Sequence, residues 1–261
     1  MTPEATHEAF RLDLYIMHHV IDSNVWHIPF LPVIHLPGFL TIQKVVMLLA
    51  AFLLVLVFCV LYDKKQRVPK GMTNFFEVFI LHIRNDLAIE FLGEEDGRRM
   101  TPMLLTLFFF ILFINLLGMI PIFPTTATAN TSVTGALAFL IFIMMTIGGM
   151  FKHGFLHYMK LFVLPGVPTP MLIFLTPLEV LSVFIKAFAL MIRLFANMFA
   201  GHIVILSILG LVVTISWFVA IPAVPMAVMI SMLELFVAFL QAYIFTFLSA
   251  IFIGQIYHPS H

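Results

Sequence analysis

Five ionisable side chains lie inside the two longest apolar stretches of this 261-residue sequence. Two amides accompany them, and the full set is Glu179, Lys186, Arg193, Asn197, His202, Glu234 and Gln241. An ionisable group is costly to bury in a membrane, so each of these residues is a candidate for function. An arginine keeps its proton at physiological pH, whereas histidine and buried carboxyl groups can accept and release one. A fixed cation flanked by titratable groups is what two offset proton paths would need.

The spacing of the residues in the first of these stretches assigns them to helix faces. Glu179, Lys186 and Arg193 are seven residues apart, which predicts that they share one face of a helix, and Asn197 follows Arg193 at i+4 on that face. His202 comes nine residues after Arg193 and is rotated from it by about 180°. One helix is therefore expected to present an arginine on one face and a titratable histidine on the opposite face.

The last apolar stretch carries a second aligned pair, since Glu234 and Gln241 are also seven residues apart. If the two long helices pair at equal pitch and Gln241 lies level with Arg193, Glu234 lies about 10 Å further along, near His202. We therefore predict that His202 and Glu234 form a coupled pair. Tyr243 follows Gln241 closely, and its pattern is compatible with either packing or the proton path.

Each candidate also has a purely structural interpretation. Lys186 could extend its side chain to the membrane surface without taking part in conduction, as could Glu179. His202 could form a hydrogen bond between helices and nothing more. Arg193 could be an ion-pair partner of Glu179 or Glu234, although a deep arginine is expensive to keep for packing alone.

The composition excludes a water-soluble globule. Hydrophobic residues make up 62% of the chain and charged residues 10%, and the mean hydropathy is +1.11, whereas soluble domains contain about 25% charged residues. The formal net charge of zero argues against nucleic acid as a partner. The single cysteine, Cys59, excludes a disulfide framework or a cysteine metal site, and we expect no metal and no cofactor. No removable signal peptide is expected.

Apolar runs of about 20 residues predict an all-α polytopic membrane protein. The expected crossings are residues 42–62, 102–120, 132–151, 173–214 and 222–256. The last two runs exceed an upright span, which favours two long, strongly tilted helices, although a bend near Gly201 or Gly210 is an alternative for the first of them. Residues 1–40 are expected to form an external segment and residues 41–261 a single integral membrane domain.

Residues 73–92 have a different pattern from the crossings. Apolar side chains, including Phe75, Phe79, Ile83 and Leu87, recur at helical spacing, and the charged side chains lie mainly off that stripe. This pattern is typical of an amphipathic helix that lies at the membrane interface.

The distribution of basic residues predicts the orientation. Seven of the 13 lysines and arginines lie between the first and second crossings, namely Lys64, Lys65, Arg67, Lys70, Arg84, Arg98 and Arg99. Lys152 and Lys160 follow the third crossing, whereas the first 39 residues contain only Arg11. The positive-inside rule then places the N-terminus outside and the C-terminus in the cytoplasm.

Two segments carry a specific resemblance. The segment MIRLFANMFAGH (191–202) resembles the signature of subunit a of rotary F-type ATP synthases, and ELFVAFLQAYIF (234–245) resembles the last helix of that family. The segment HHVID (18–22) and the order of span, interfacial helix, hairpin and two long helices also fit. The resemblance covers most of the chain.

The resemblance implies a stator subunit that provides two offset half-channels to a rotating ring of c subunits. Arg193 would take the place of the essential arginine, Asn197 and Gln241 would be its polar neighbours, Glu179 would belong to the cytoplasmic path, and His202 with Glu234 to the outer path. Two features depart from one familiar form of the pattern. The acid and the histidine are exchanged between the two long helices, and the 125–134 turn lacks the acid that many relatives carry.

The resemblance further implies the partners and the location. They are the c-ring proteolipids, the peripheral-stalk b subunits and the rest of the synthase, in a bacterial inner membrane, and the subunit is not catalytic alone. Both H⁺ and Na⁺ stay open as the transported ion, because selectivity can reside in the ring. A secondary transporter or an antiporter-like subunit of a respiratory complex is the alternative function, and a structural scaffold is a third.

Overall fold

The computed structural model describes residues 25–26, 34–37, 40–61, 71–120, 126–163, 168–214 and 217–258. Several sequence predictions concern residues outside these ranges. They are the segment HHVID (18–22), the cations at positions 11, 64, 65, 67 and 70, and most of the external segment 1–40.

Helices account for nearly all of the described residues. The α-helices are α1 (Ile42–Leu56), α2 (Met72–His82), α3 (Glu90–Leu92), α4 (Glu94–Gly118), α5 (Thr131–Ile143), α6 (Gly149–His153), α7 (Phe155–Leu161), α8 (Thr169–Thr214) and α9 (Ala220–Tyr257). The π-helical segments are Val57–Leu61 after α1, Ile83–Ile89 between α2 and α3, and Met144–Gly148 between α5 and α6. Short 3₁₀ turns span Ala127–Ala129 and Trp217–Val219. Two two-residue strands, β1 (Val25–Trp26) and β2 (Ile34–His35), pair antiparallel.

Five of the described helical segments are long and apolar enough to cross a membrane. They are Ile42–Cys59, Glu94–Gly118, Thr131–His153, Pro170–Gly210 and Ala220–Tyr257. This finding confirms the predicted all-α polytopic class with five crossing helices. The interfacial position of residues 73–92 and the tilt of the two long helices stay predictions.

Helix α4 begins earlier than the crossing predicted at 102–120. Gly93 has a φ of 79°, which ends α3, and α4 starts at the next residue. The acidic residues Glu94, Glu95 and Asp96 occupy its first turn, where the N-terminal end of the helix dipole favours negative charge. The charged turn is therefore part of the helix, and the apolar run is only its continuation.

Helix α8 is one helix of 46 residues that continues through Pro177, Gly201 and Gly210. Its start at Thr169 precedes the predicted crossing, 173–214. At 1.5 Å per residue, α8 extends about 69 Å, roughly twice the ~30 Å hydrocarbon core of a bilayer. The helix is continuous along this run, and its tilt and a bend near Gly201 or Gly210 stay predictions. Helix α9 has 38 residues.

The chain forms two compact units. The first unit consists of Met1–Ala51, Leu112–Asn130 and Leu194–Gln241, and the second of Phe52–Ile111, Thr131–Arg193 and Ala242–His261. Buried apolar side chains of the first unit include Ile42, Leu194 and Met198.

Most of the buried polar side chains lie in the first unit. They include Gln43, Asn115, Thr128, Glu234 and Gln241. The core of the second unit is instead aromatic, because Phe58 and Phe109 pack edge to face at 5.2 Å between ring centroids, and Phe79 stacks on Phe108 at 6.0 Å. Four of the predicted site residues lie in the first unit, namely Asn197, His202, Glu234 and Gln241, whereas Arg193 ends a segment of the second.

Candidate functional site

His202 and Glu234 are in direct contact. Nδ1 of His202 lies 2.8 Å from Oε1 of Glu234, and the two side chains are only 13% and 5% exposed. Nε2 of His202 lies 3.2 Å from the carbonyl oxygen of Gly118. The contact confirms the predicted proximity of the two residues.

The hydrogen bonds of His202 determine how many protons the pair holds. Nε2 must donate to the Gly118 carbonyl, so Nδ1 of a neutral His202 carries no proton. The contact with Glu234 then needs one further proton, which is either on the imidazolium or on the carboxyl group. Without that proton two acceptors would face each other at 2.8 Å. The geometry therefore requires one hydrogen between Nδ1 of His202 and Oε1 of Glu234.

Gly201 allows the two long helices to approach at this pair. A Cβ at position 201 would lie 2.7 Å from Oε1 of Glu234, which is closer than Cβ atoms are found to approach any neighbour. With any other residue at position 201, the carboxylate of Glu234 would have to shift from its present position beside His202.

Asn197 and Gln241 form a second contact between α8 and α9. Nδ2 of Asn197 donates to Oε1 of Gln241 at 2.7 Å. Gln241 is 1% exposed, and its Nε2 is buried without a hydrogen-bond partner among the described residues. The amide of Gln241 therefore keeps an unused donor.

The contacts of Asn197 and His202 show how two positions of α8 reach α9. The spacing predicted that His202 lies about 180° from Arg193 around the helix and near Glu234. In the structure, Asn197 and His202 both contact α9, through Gln241 and Glu234 respectively. The two positions are about 140° apart around the helix, so they flank the line of contact with α9 and their side chains reach it from either side.

Arg193 has a buried guanidinium nitrogen, Nη1, that forms no hydrogen bond within the part of the chain that the structure describes. An unsatisfied charged donor is expensive to bury. No ion pair between Arg193 and Glu179 occurs in the described residues, and the carboxylate of Glu234 is bonded to His202. The guanidinium therefore retains the capacity to bind an anion.

A series of uncharged polar side chains extends through the first unit. Nδ2 of Asn130 donates to Oε1 of Gln43 at 2.5 Å, and Oγ1 of Thr128 donates to Oδ1 of Asn115 at 2.7 Å. Nδ2 of Asn115 is 3.5 Å from the carbonyl oxygen of Ala238, which lies between Glu234 and Gln241 on α9. We call Gln43, Asn115, Thr128 and Asn130 the amide–hydroxyl series.

The residues of the amide–hydroxyl series were not predicted as site residues from the sequence. Asn115 interrupts an otherwise uncharged apolar run, FFFILFINLLGM (108–119), and an amide inside a membrane helix is a usable signal. Thr128 and Asn130 belong to the 125–134 turn, for which the sequence indicated only that the acid of many relatives is absent. Gln43, which is 2% exposed, is the second residue of the first crossing, where a polar side chain at the end of the apolar run gave no comparable signal.

The remaining predicted residues lie in the second unit. Nζ of Lys186 donates to Oε1 of Gln255 at 2.8 Å and lies 5.6 Å from the ring centroid of Phe252, so Lys186 contacts α9. The side chain of Glu179 is exposed. Tyr243 stacks on His82 with 5.7 Å between the ring centroids. None of these three joins the His202–Glu234 pair.

No group of three or more potential metal-ligating side chains occurs in the described residues. The contacts described in the first unit are hydrogen bonds between amide, hydroxyl, imidazole and carboxyl groups.

Comparison with known proteins identifies the family. The family model described as ATP synthase A chain matches residues 44–254. A curated relative named ATP synthase subunit a, from Anaeromyxobacter dehalogenans, is 48% identical over 222 residues, which is 82% of this chain and 57% of the relative. The chain thus spans somewhat more than half the length of that relative.

Two further relatives with the same printed name are covered more completely. The one from Myxococcus xanthus is 42% identical over 91% of this chain and 85% of its own length. The one from Chloroherpeton thalassium is 42% identical over 98% of this chain and 80% of its own length. The chain belongs to the ATP synthase A chain family.

Proposed function

We propose that this chain is the proton-translocating stator subunit of an ATP synthase and provides two offset half-channels to a rotating c-ring. It is a multi-pass protein of the bacterial inner membrane, is not catalytic alone, and works with the c-ring, the peripheral-stalk b subunits and the rest of the complex. Arg193 is the essential cation between the two half-channels.

The observation that carries this proposal is the buried Nη1 of Arg193 without a hydrogen-bond partner in the described residues. A guanidinium inside a membrane requires an anion, and a passing ring carboxylate would supply it. At ~4 Å and an effective dielectric constant near 20, the attraction is about 4 kcal/mol. This attraction keeps the carboxylate ionised until a proton arrives.

The His202–Glu234 pair supports an outer half-channel. A single proton on the pair can come from water and leave to the ring. The amide–hydroxyl series can hold water molecules that extend this route from Gln43 towards α9, because amides and hydroxyl groups both donate and accept hydrogen bonds. The series contains no titratable group, so it would carry a proton only through such water molecules.

The cytoplasmic half-channel is assigned to Glu179 and the Arg193 face of α8. The side chain of Glu179 is exposed, so the described part of this chain does not bury it. Lys186 is held by Gln255, and this contact favours a fixed cation over a mobile proton carrier.

The test of the function is the substitution of Arg193. We expect Arg193→Ala to abolish ATP-driven proton pumping in inverted membrane vesicles, because an interaction of ~4 kcal/mol corresponds to roughly a thousandfold in rate. Arg193→Lys should also be severely impaired, since a lysine can lose its proton.

Arg99→Ala is the matched control, because Arg99 pairs with Glu95 in an exposed turn and should be dispensable. Normal pumping by Arg193→Ala would refute the proposed function. The alternative, a secondary transporter or an antiporter-like subunit, predicts that the chain purifies without a ring of small proteolipids, whereas the proposed function requires such a ring.

A further inference from the structure

The C-terminal end of α9 is bound by a cluster of polar side chains, two of them charged, that the proposed proton paths do not use. Nζ of Lys152 forms an ion pair with Oδ2 of Asp96, and Nε2 of His258 lies 3.2 Å from the same oxygen. Nε2 of His258 is also 2.7 Å from the carbonyl oxygen of Leu92 and 3.3 Å from Nζ of Lys152. We call Asp96, Lys152 and His258 the C-terminal clamp.

The ion pair of the C-terminal clamp is better protected from water than the neighbouring ones. The side chains of Asp96 and Lys152 are 20% and 27% exposed, whereas those in the local pair Arg98–Glu94 are 57% and 73% exposed. Exposed pairs within one helix contribute little, and partial burial strengthens the attraction. Nζ of Lys152 also lies 4.8 Å from the ring centroid of Tyr257, within reach of a cation–π interaction.

The backbone around the C-terminal clamp is also closely packed. Nε2 of His153 is 3.0 Å from the carbonyl oxygen of Ile256. A Cβ at Gly254 would collide with the carbonyl oxygen of Phe91, so α9 touches the backbone of α3 there. The final turn of α9 is therefore held from two sides, by the turn at 91–96 and by α6.

We propose that the C-terminal clamp is a positioning device that keeps α9 from rotating or sliding while the ring turns, with Lys152 as its central positioning residue. The inference rests on the proposed function, because it assumes that a moving ring exerts force on α9. Helix α9 carries Glu234 and Gln241, and Tyr257 lies on the same helix 16 residues after Gln241. Fixing one end of a stiff helix fixes the rotation of the side chains along it.

The test compares variants of Lys152 in the intact synthase. Lys152→Met removes the charge and keeps most of the side-chain volume, Lys152→Arg keeps the ion pair and the contact with Tyr257, and the exchange of Asp96→Lys with Lys152→Asp restores opposite charges. Lys160→Met is the matched control, because it removes an exposed lysine from α7. The two measurements are protons pumped per ATP hydrolysed in inverted vesicles and amide hydrogen exchange at residues 253–258.

We expect Lys152→Met to lower the pumping ratio about fivefold, which corresponds to roughly 1 kcal/mol, while ATP hydrolysis continues. Hydrogen exchange at the end of α9 should become faster in the same variant. Lys152→Arg should keep the ratio, the charge exchange should recover part of it, and Lys160→Met should change neither measurement.

A wild-type ratio in Lys152→Met would overturn the proposal even if hydrogen exchange increased, and so would a loss that Lys152→Arg shares. If Lys152→Met does not enter the complex, His258→Gln serves as the second variant, because its side chain is 52% exposed. Failure of both variants to assemble would make the clamp a folding element and would also overturn the proposal. Normal pumping by Arg193→Ala would instead refute the proposed function, and hydrogen exchange would still report on the clamp.

Discussion

The single proton shared by His202 and Glu234 gives the clearest prediction for individual residues. The singles His202→Glu and Glu234→His each place two like groups together and should slow proton pumping, since neither pair keeps the hydrogen-bonding pattern. In the native protein the imidazole and the carboxyl group are 2.8 Å apart. The double exchange again places one carboxyl group beside one imidazole, and it should restore part of the activity. Pumping rates of the two singles and the double in vesicles form a double-mutant cycle.

His157→Gln is the control for this cycle, because His157 is exposed in α7 and its ring lies 5.7 Å from that of His153, away from His202 and Glu234 in the chain. Additive losses in the cycle, with no recovery in the double exchange, would show that His202 and Glu234 act independently. His202 would then form only a structural hydrogen bond between the two long helices, which is the alternative interpretation of this residue from the sequence.

The close packing of α8 against α9 at Gly201 gives a prediction about the contact between these two helices. Gly201→Ala would place a methyl group 2.7 Å from Oε1 of Glu234 and must displace that carboxylate or separate the helices. Overpacking of this kind costs about 1–3 kcal/mol, and we expect a partial loss of pumping with the chain still present in the complex. Pumping and subunit content are measured together.

Gly135→Ala is the matched substitution, because a Cβ there would lie at an ordinary 3.4 Å from Sδ of Met191. It should leave pumping unchanged. Equal pumping by Gly201→Ala and the wild type would mean that the close approach is not needed for the contact between Glu234 and His202.

The orientation of the whole chain in the membrane follows from its charge distribution and is open to labelling. In a Cys59→Ser background, cysteines at positions 66 and 160 should react with an impermeant maleimide only from the cytoplasmic side, because basic residues surround both. A cysteine replacing Phe218, which is 79% exposed in the turn before α9, should react only from outside. Labelling of position 66 or 160 from outside would contradict the orientation and the assignment of the two half-channels.

The amino-acid sequence by itself determined the class of protein, the number of crossing helices and the ionisable residues of α8 and α9. Apolar run length is a local property, because a helix satisfies its own backbone hydrogen bonds inside a membrane. The faces of single helices were also readable, since residue spacing defines them. The start of α4 was missed because its first turn is charged and the apolar run begins later.

The contact of His202 with Glu234 followed from the predicted pitch of the two long helices, but only the tertiary structure decided which other distant side chains meet. The bond from Asn130 to Gln43 and the convergence of Asp96, Lys152 and His258 join residues that are between 56 and 162 positions apart. Such contacts depend on the rotation and offset of one helix against another, which a few small residues such as Gly201 and Gly254 control. Hydrophobic periodicity describes one helix at a time and carries no information about that offset.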